Sequence, residues 1–137
     1  MAFATVKCMS DRVLRNTLYF TFFYNLMGFV TFIAPQRFGG VAGLPYDVPF
    51  LYNGFIAFNI LLFGIVGLWQ ARQTVMNAPV LVIFGISKIT FCGLMLVSWI
   101  GGDVALPGFL MSLVDFAMGL IFLQGARNAP SGLSRQN

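Results

Sequence analysis

The sequence predicts an all-α integral membrane protein, a bundle of four transmembrane helices forming one domain over residues 1–137. Three observations predict it. Only 9% of the residues are charged and 58% are hydrophobic, whereas soluble domains carry roughly 25% charged residues. Four apolar runs divide the chain, at approximately 17–34, 49–69, 78–100 and 105–124. Each comes close to the roughly 20 residues that a helix needs to cross a bilayer core. Finally, the basic residues other than Lys88 collect at the ends of these runs, mostly on one side. With four spans counted, no stretch is left for a soluble domain.

Taken in order, residues 1–16 place Phe3, Val6, Met9 and Val13 at helical spacing among Lys7, Asp11, Arg12 and Arg15. This pattern suits either a short amphipathic helix on the membrane surface leading into the first span or a disordered tail followed by the start of that span's helix, with Ser10 or Asp11 available to cap it. The first run, Thr17–Ala34, is too long for a signal-peptide core and no A-x-A pattern comes after it, so a retained span is expected. Pro35 ends it. The next stretch, PQRFGGVAGLPYDV, is rich in Gly and Pro; as a loop it could carry partner or ligand contacts, but it reads first as a solvated connector. Pro49–Trp69 has Tyr52 and Trp69 near its ends, as interface anchors. A polar loop with Arg72 leads to Ala78–Ile100, and a tight turn containing Asp103 leads to Ala105–Gln124. Pro107 falls in the first turn of that run, where proline is tolerated. Residues 125–137 read as a disordered polar tail.

Lys7, Arg12, Arg15, Arg72, Arg127 and Arg135 fall on one side of these spans and only Arg37 on the other. Both termini are therefore expected in the cytoplasm. The net charge of +4 is scattered rather than clustered, so no nucleic-acid partner is predicted. The chain has no histidine and no glutamate. That removes the usual ligands for haem and most of those for zinc and non-haem iron, together with the commonest general base. No metal and no cofactor is predicted. Cys8 and Cys92 lie far apart in the layout, and no disulfide is expected. Nucleotide-binding, nucleophile-elbow, C-x-x-C and zinc-protease motifs are absent from the sequence.

The candidate site is a polar layer. Each run carries one strongly polar side chain near its middle: Asn25, Asn59, Lys88 and Asp115. A lysine at that depth, about 15 Å from either end of its helix, costs roughly 2.5–3.5 kcal/mol on insertion scales and needs a partner. Lys88 and Asp115 are the ionisable groups at that depth, on consecutive helices joined by a tight turn, and are expected to pair across the bundle interior. Gly108, Ser112, Asp115 and Gly119 form one stripe of small and polar residues. Gly85, Lys88 and Cys92 form another, and Thr21, Asn25 and Gly28 a third. These faces are predicted to point inward, where small residues let membrane helices approach. The sixteen phenylalanines and the leucines are left for lipid. The aromatic cluster Tyr19, Phe20, Phe22, Phe23 and Tyr24 could line a pigment or quinone site, but it goes round all sides of its helix and so is expected to face lipid.

In layout the chain resembles the small bacterial inner-membrane proteins grouped as DoxX-like, over roughly residues 17–127. The features are Gly64-x-x-Gly67-Leu68, Lys88, and Asp115-Phe116 with Gly119 and Phe122. The resemblance implies a four-helix bundle in the bacterial inner membrane. It also implies work as an accessory subunit, since a founding member is similar to a subunit of a quinone-linked sulfur oxidation complex. No catalytic residue is implied by it.

The leading expectation is a non-catalytic accessory or assembly subunit, with other membrane subunits or further copies of itself as partners in the bilayer. The alternative is a protein that binds, carries or modifies a hydrophobic molecule at Asn25, Asn59, Lys88 and Asp115. A quinone, isoprenoid or lipid with one polar end would suit such a layer. As a purely structural feature, the layer would fix helix register.

Overall fold

The computed structural model describes residues 10–40, 42–45 and 47–128. These residues form α1 (Asp11–Ile33), the short α2 (Pro35–Phe38), α3 (Phe50–Arg72), α4 (Ala78–Gly101) and α5 (Leu106–Asn128), with no strand among them. The four long helices have 23 or 24 residues, which is about 35 Å of helix each.

Local chemistry sets the ends. Ser10 caps α1, its hydroxyl accepting from the Arg12 amide at 3.3 Å. Asn77 caps α4 through the Val80 amide, with Pro79 in the first turn. Gly102 closes α4 in the left-handed conformation, at φ 86°, which glycine adopts without a Cβ penalty. The Arg15 guanidinium donates to the carbonyls of Ala71 and Gln73, both at 2.7 Å, and of Thr74 at 3.2 Å. The start of α1 is thereby tied to the orphan carbonyls at the end of α3.

The helices pack as two pairs, α1 along α3 and α4 along α5. Small residues set both seams. Asn25 of α1 lies against Gly64 of α3 and Gly28 against Ile60, while α4 and α5 touch at Gly85 and Gly119. One end of the bundle, between the pairs, is filled by Leu14, Leu18, Ala71, Leu81, Phe84, Met118 and Phe122. Phe84 packs edge-on against Phe63 and Phe122, with centroids 5.3 and 5.7 Å apart. A smaller cluster of Ala42, Leu44, Met95 and Val104 closes the other end.

Among the described residues three helices, α3, α4 and α5, are long and apolar enough to cross a membrane. α1 matches them in length, but Tyr19, Thr21, Tyr24, Asn25 and Thr31 lower its hydropathy. The outward faces carry Phe23, Phe50, Leu51, Phe55, Phe58, Leu94, Val97 and Ile100, all well exposed. So much contiguous apolar surface is foreign to water-soluble monomers and ordinary against acyl chains.

Several expectations change. Residues 11–16 are the first turns of α1, not a separate surface helix, because Leu14 is buried in the core and Arg15 is bound to α3; the remainder of that segment, residues 1–9, lies outside the described residues. The Gly- and Pro-rich connector is not simply solvated. It contains α2 and buries Pro35, Ala42 and Leu44, because Gly43, at φ 59°, turns the chain back onto the start of α5. α5 runs to Asn128 with Gly125 buried, so the tail expected from residue 125 begins as helix; residues 129–137 lie outside the described ones. Phe84 and Phe122 are core side chains rather than lipid-facing ones.

Gln70 is fully buried with neither amide atom bonded among the described residues. A buried unpaired amide costs about 1–3 kcal/mol. Gln70→Met, similar in volume, is expected to raise the thermal unfolding midpoint in detergent. A lowered midpoint would show that the amide is bonded in place.

Candidate polar cavity site

Three of the four predicted site residues meet. Lys88 of α4 and Asp115 of α5 form an ion pair, with Nζ to Oδ1 at 2.5 Å. Lys88 Nζ also donates to Asn25 Oδ1 of α1 at 2.8 Å, and Asn25 Nδ2 donates to the Ile60 carbonyl of α3 at 3.0 Å. One connected group thus links all four long helices at mid-height. Asn25 and Asp115 are 3% exposed and Lys88 9%, so each charge has its counter-charge and hydrogen bonds out of water. The stripes expected to face inward do so: Gly85, Lys88 and Cys92 on α4, and Gly108, Ser112, Asp115 and Gly119 on α5, are all buried. On α1, Thr21 and Asn25 are buried and Gly28 is half-buried against Ile60.

Asn59 does not join the group. Its Nδ2 donates back to the Phe55 carbonyl of its own helix at 2.7 Å. It does line the same cavity as Asn25, Lys88 and Asp115.

That cavity has a volume of about 290 Å³. It lies between the helix pairs, toward the end that holds the connector. Its inner end is the Lys88–Asp115–Asn25 group, and beyond this the bundle is solid, with Thr21 against Met118 Sδ at 3.2 Å and then the phenylalanine core. Ala42 and Leu44 of the connector line its far end. The walls are mostly apolar. Among them, Met27, Phe55, Ile56 and Met111 are also exposed on the outside of the bundle, so the cavity has an apolar rim. Such a shape, an apolar chamber with a few convergent polar groups, is the common form of a small-molecule site, and its volume falls near the lower end of the usual range.

Two further residues belong to the site. Tyr24, expected among the lipid-facing aromatics, is instead half-buried and lines the cavity. Its hydroxyl donates to the Met111 carbonyl of α5 at 2.8 Å, and its ring centroid lies 5.4 Å from Lys88 Nζ. The signal that could have found it is its spacing: Thr21, Tyr24 and Gly28 stand at i, i+3, i+7 along the same face as Asn25. Ser112, a member of the inward stripe, donates to the Phe109 carbonyl at 2.6 Å and sits 3.5 Å from Cys92 Sγ. Cys92 is free and buried; Cys8 lies outside the described residues. Among the described residues no cluster of His, Cys, Asp or Glu could hold a metal ion.

The connector's fold shapes the cavity's far end. A side chain at Gly43 would be strained at its positive φ and would press on Ala105. Gly43→Val is expected to lower stability by about 1–3 kcal/mol and to increase proteolytic nicking between residues 39 and 49. Unchanged nicking would show that the connector's packing does not depend on this turn.

Fold and site together define an all-helical protein with membrane-spanning character and a charged group enclosed at mid-bundle. No family model, curated protein or solved structure matches the chain.

Proposed function

We infer that the chain is a four-span protein of the bacterial inner membrane, with both termini in the cytoplasm, that binds a lipid-soluble molecule inside its bundle. α1 acts as the fourth span: it has the length of the others and supplies Asn25 and Tyr24 to the cavity. The distribution of basic residues supports the orientation, with Arg37 alone on the connector's side. The cavity would then lie in the outer half of the membrane.

The observation that carries the binding reading is an apolar cavity ending on a buried, hydrogen-bonded ion pair. A pair serving only to fix register needs no chamber beside it. An apolar rim suits entry from the acyl-chain region, and the polar inner end suits a molecule with one polar group on a hydrophobic body, such as a quinone, isoprenoid or lipid. No reaction is assigned to the site.

The test is purification in native lipid discs and mass spectrometry of the molecules that remain bound. One organic molecule per chain, lost on changing Lys88 and Asp115 together, supports the binding reading. A stoichiometric protein partner with no retained small molecule would instead support the accessory-subunit reading, with its likeness to DoxX-like subunits.

A further inference from the structure

The polar inner end of the cavity restricts what head group it can take. Lys88 has three N–H donors, and two are committed, to Asp115 Oδ1 and Asn25 Oδ1. Asn25 spends one N–H of its Nδ2 on the Ile60 carbonyl. The Tyr24 hydroxyl donates to the Met111 carbonyl, with the Asp115 carboxylate also in its reach, and the Ser112 hydroxyl donates to the Phe109 carbonyl. The charged pair still offers one N–H of Lys88, on the donor side, and, on the acceptor side, the Asp115 carboxylate, which the Tyr24 hydroxyl also faces but which keeps spare lone pairs. Asn59 Oδ1, further along the wall, is a second acceptor.

The charges at this end already cancel. An anionic head would gain Lys88 only by competing with Asp115, and would bring a second negative charge beside the first. A cationic head would meet Lys88 in the same way. In an apolar surround either leaves one buried charge unmatched. A hydroxyl satisfies both leftover groups at once, accepting from Lys88 and donating to Asp115. The volume of about 290 Å³ suits one hydrophobic tail and not two.

We propose that the cavity selects a neutral, hydroxyl-headed, single-tailed amphiphile, which Lys88 and Asp115 hold as a donor–acceptor pair. This rests on the reading of the protein as a binder of lipid-soluble molecules and deepens it.

Three probes test it, each with the same photoreactive decyl chain and carrying a hydroxyl, a carboxylate or an ammonium head. They are applied to the full chain in lipid nanodiscs at neutral pH, and labelling is mapped by mass spectrometry. The hydroxyl probe is expected to label the cavity residues Ile60, Phe91 and Met95 about tenfold more than either charged probe, the fold-change for one charged hydrogen-bonding group left unmatched. Outward-facing Phe23, Val97 and Leu120 should be labelled alike by all three. If a charged probe labels the cavity as strongly as the hydroxyl probe, head-group selection is overturned while binding in the cavity stands. If no probe labels cavity positions above the outward ones, the binding reading itself falls, and the proposal with it. Asp115→Asn supplies a second readout: Lys88 becomes an uncancelled cation, and preference should pass from the hydroxyl probe to the carboxylate probe. A variant that folds and keeps the original order would overturn the donor–acceptor role.

Discussion

Lys88→Met alone is expected to destabilise the bundle by about 3–5 kcal/mol, the usual cost of removing one partner of a buried ion pair. The change leaves the Asp115 carboxylate, 3% exposed, with no counter-charge, and takes from Asn25 the donor that its Oδ1 accepts. Because Asn25 also holds the Ile60 carbonyl of α3, the loss reaches both helix pairs. Asp115→Leu alone should cost a similar amount by stranding the ammonium. The two together should recover most of the loss, since apolar side chains of similar volume replace a buried pair at little net cost. Unfolding titrations in mixed micelles, arranged as a double-mutant cycle, read this as a coupling energy. Single changes that cost under about 1 kcal/mol would mean that the pair does not hold the helices together. The double variant also separates structure from function: if it folds normally but retains no small molecule, the pair serves binding as well as register.

Gly119→Leu should have the second largest effect. A Cβ at Gly119 would lie 2.8 Å from Ile89 Cγ1 and 3.0 Å from the Gly85 carbonyl, so side chain and backbone of α4 both stand in the way. Rotamer adjustment cannot relieve a backbone clash, and the helices must separate. Lys88 is three residues from Gly85 and Asp115 four from Gly119, about one turn away on each helix, so separation at the glycines opens the ion pair too. The expected cost is about 1–3 kcal/mol for overpacking, with further loss as the pair lengthens. Gly93→Leu is the control: it lies on α4 as well, but nothing stands within 4 Å of a Cβ there, so its effect should stay within about 0.5 kcal/mol. Spin-label distances between α4 and α5 should increase for Gly119→Leu and not for Gly93→Leu. Unchanged distances in both would show that the seam tolerates bulk.

The ion pair was legible because it was the cheapest solution to a visible problem. Lys88 and Asp115 stood near the middle of apolar runs on helices joined by a short turn, and an isolated charge at that depth is costly. Asn25 was legible by depth alone. Asn59 satisfied the same rule and yet bonds to its own helix, because depth fixes height along a helix and not which neighbour a side chain meets. Tyr24 was hidden by composition: within residues 19–24, where five of six are aromatic, hydrophobic periodicity carries no contrast. Gln70, near the end of its helix, stood outside the mid-run pattern altogether.

By itself the sequence determined the all-helical class, the approximate bounds of the long helices, the inward faces, and the meeting of one positive and one negative side chain. These come from local rules: apolar length, caps and prolines, helical spacing, and the cost of burying charge. Only the tertiary structure decided that the bundle is two pairs of helices, solid at one end and hollow at the other. It also decided that the connector folds down onto the cavity and that Tyr24 and Asn25 of α1 complete the charged group. A cavity is the space left by side chains from four helices and a loop, distant from one another in the chain. No local rule computes that space, because packing density is a property of the assembled neighbours.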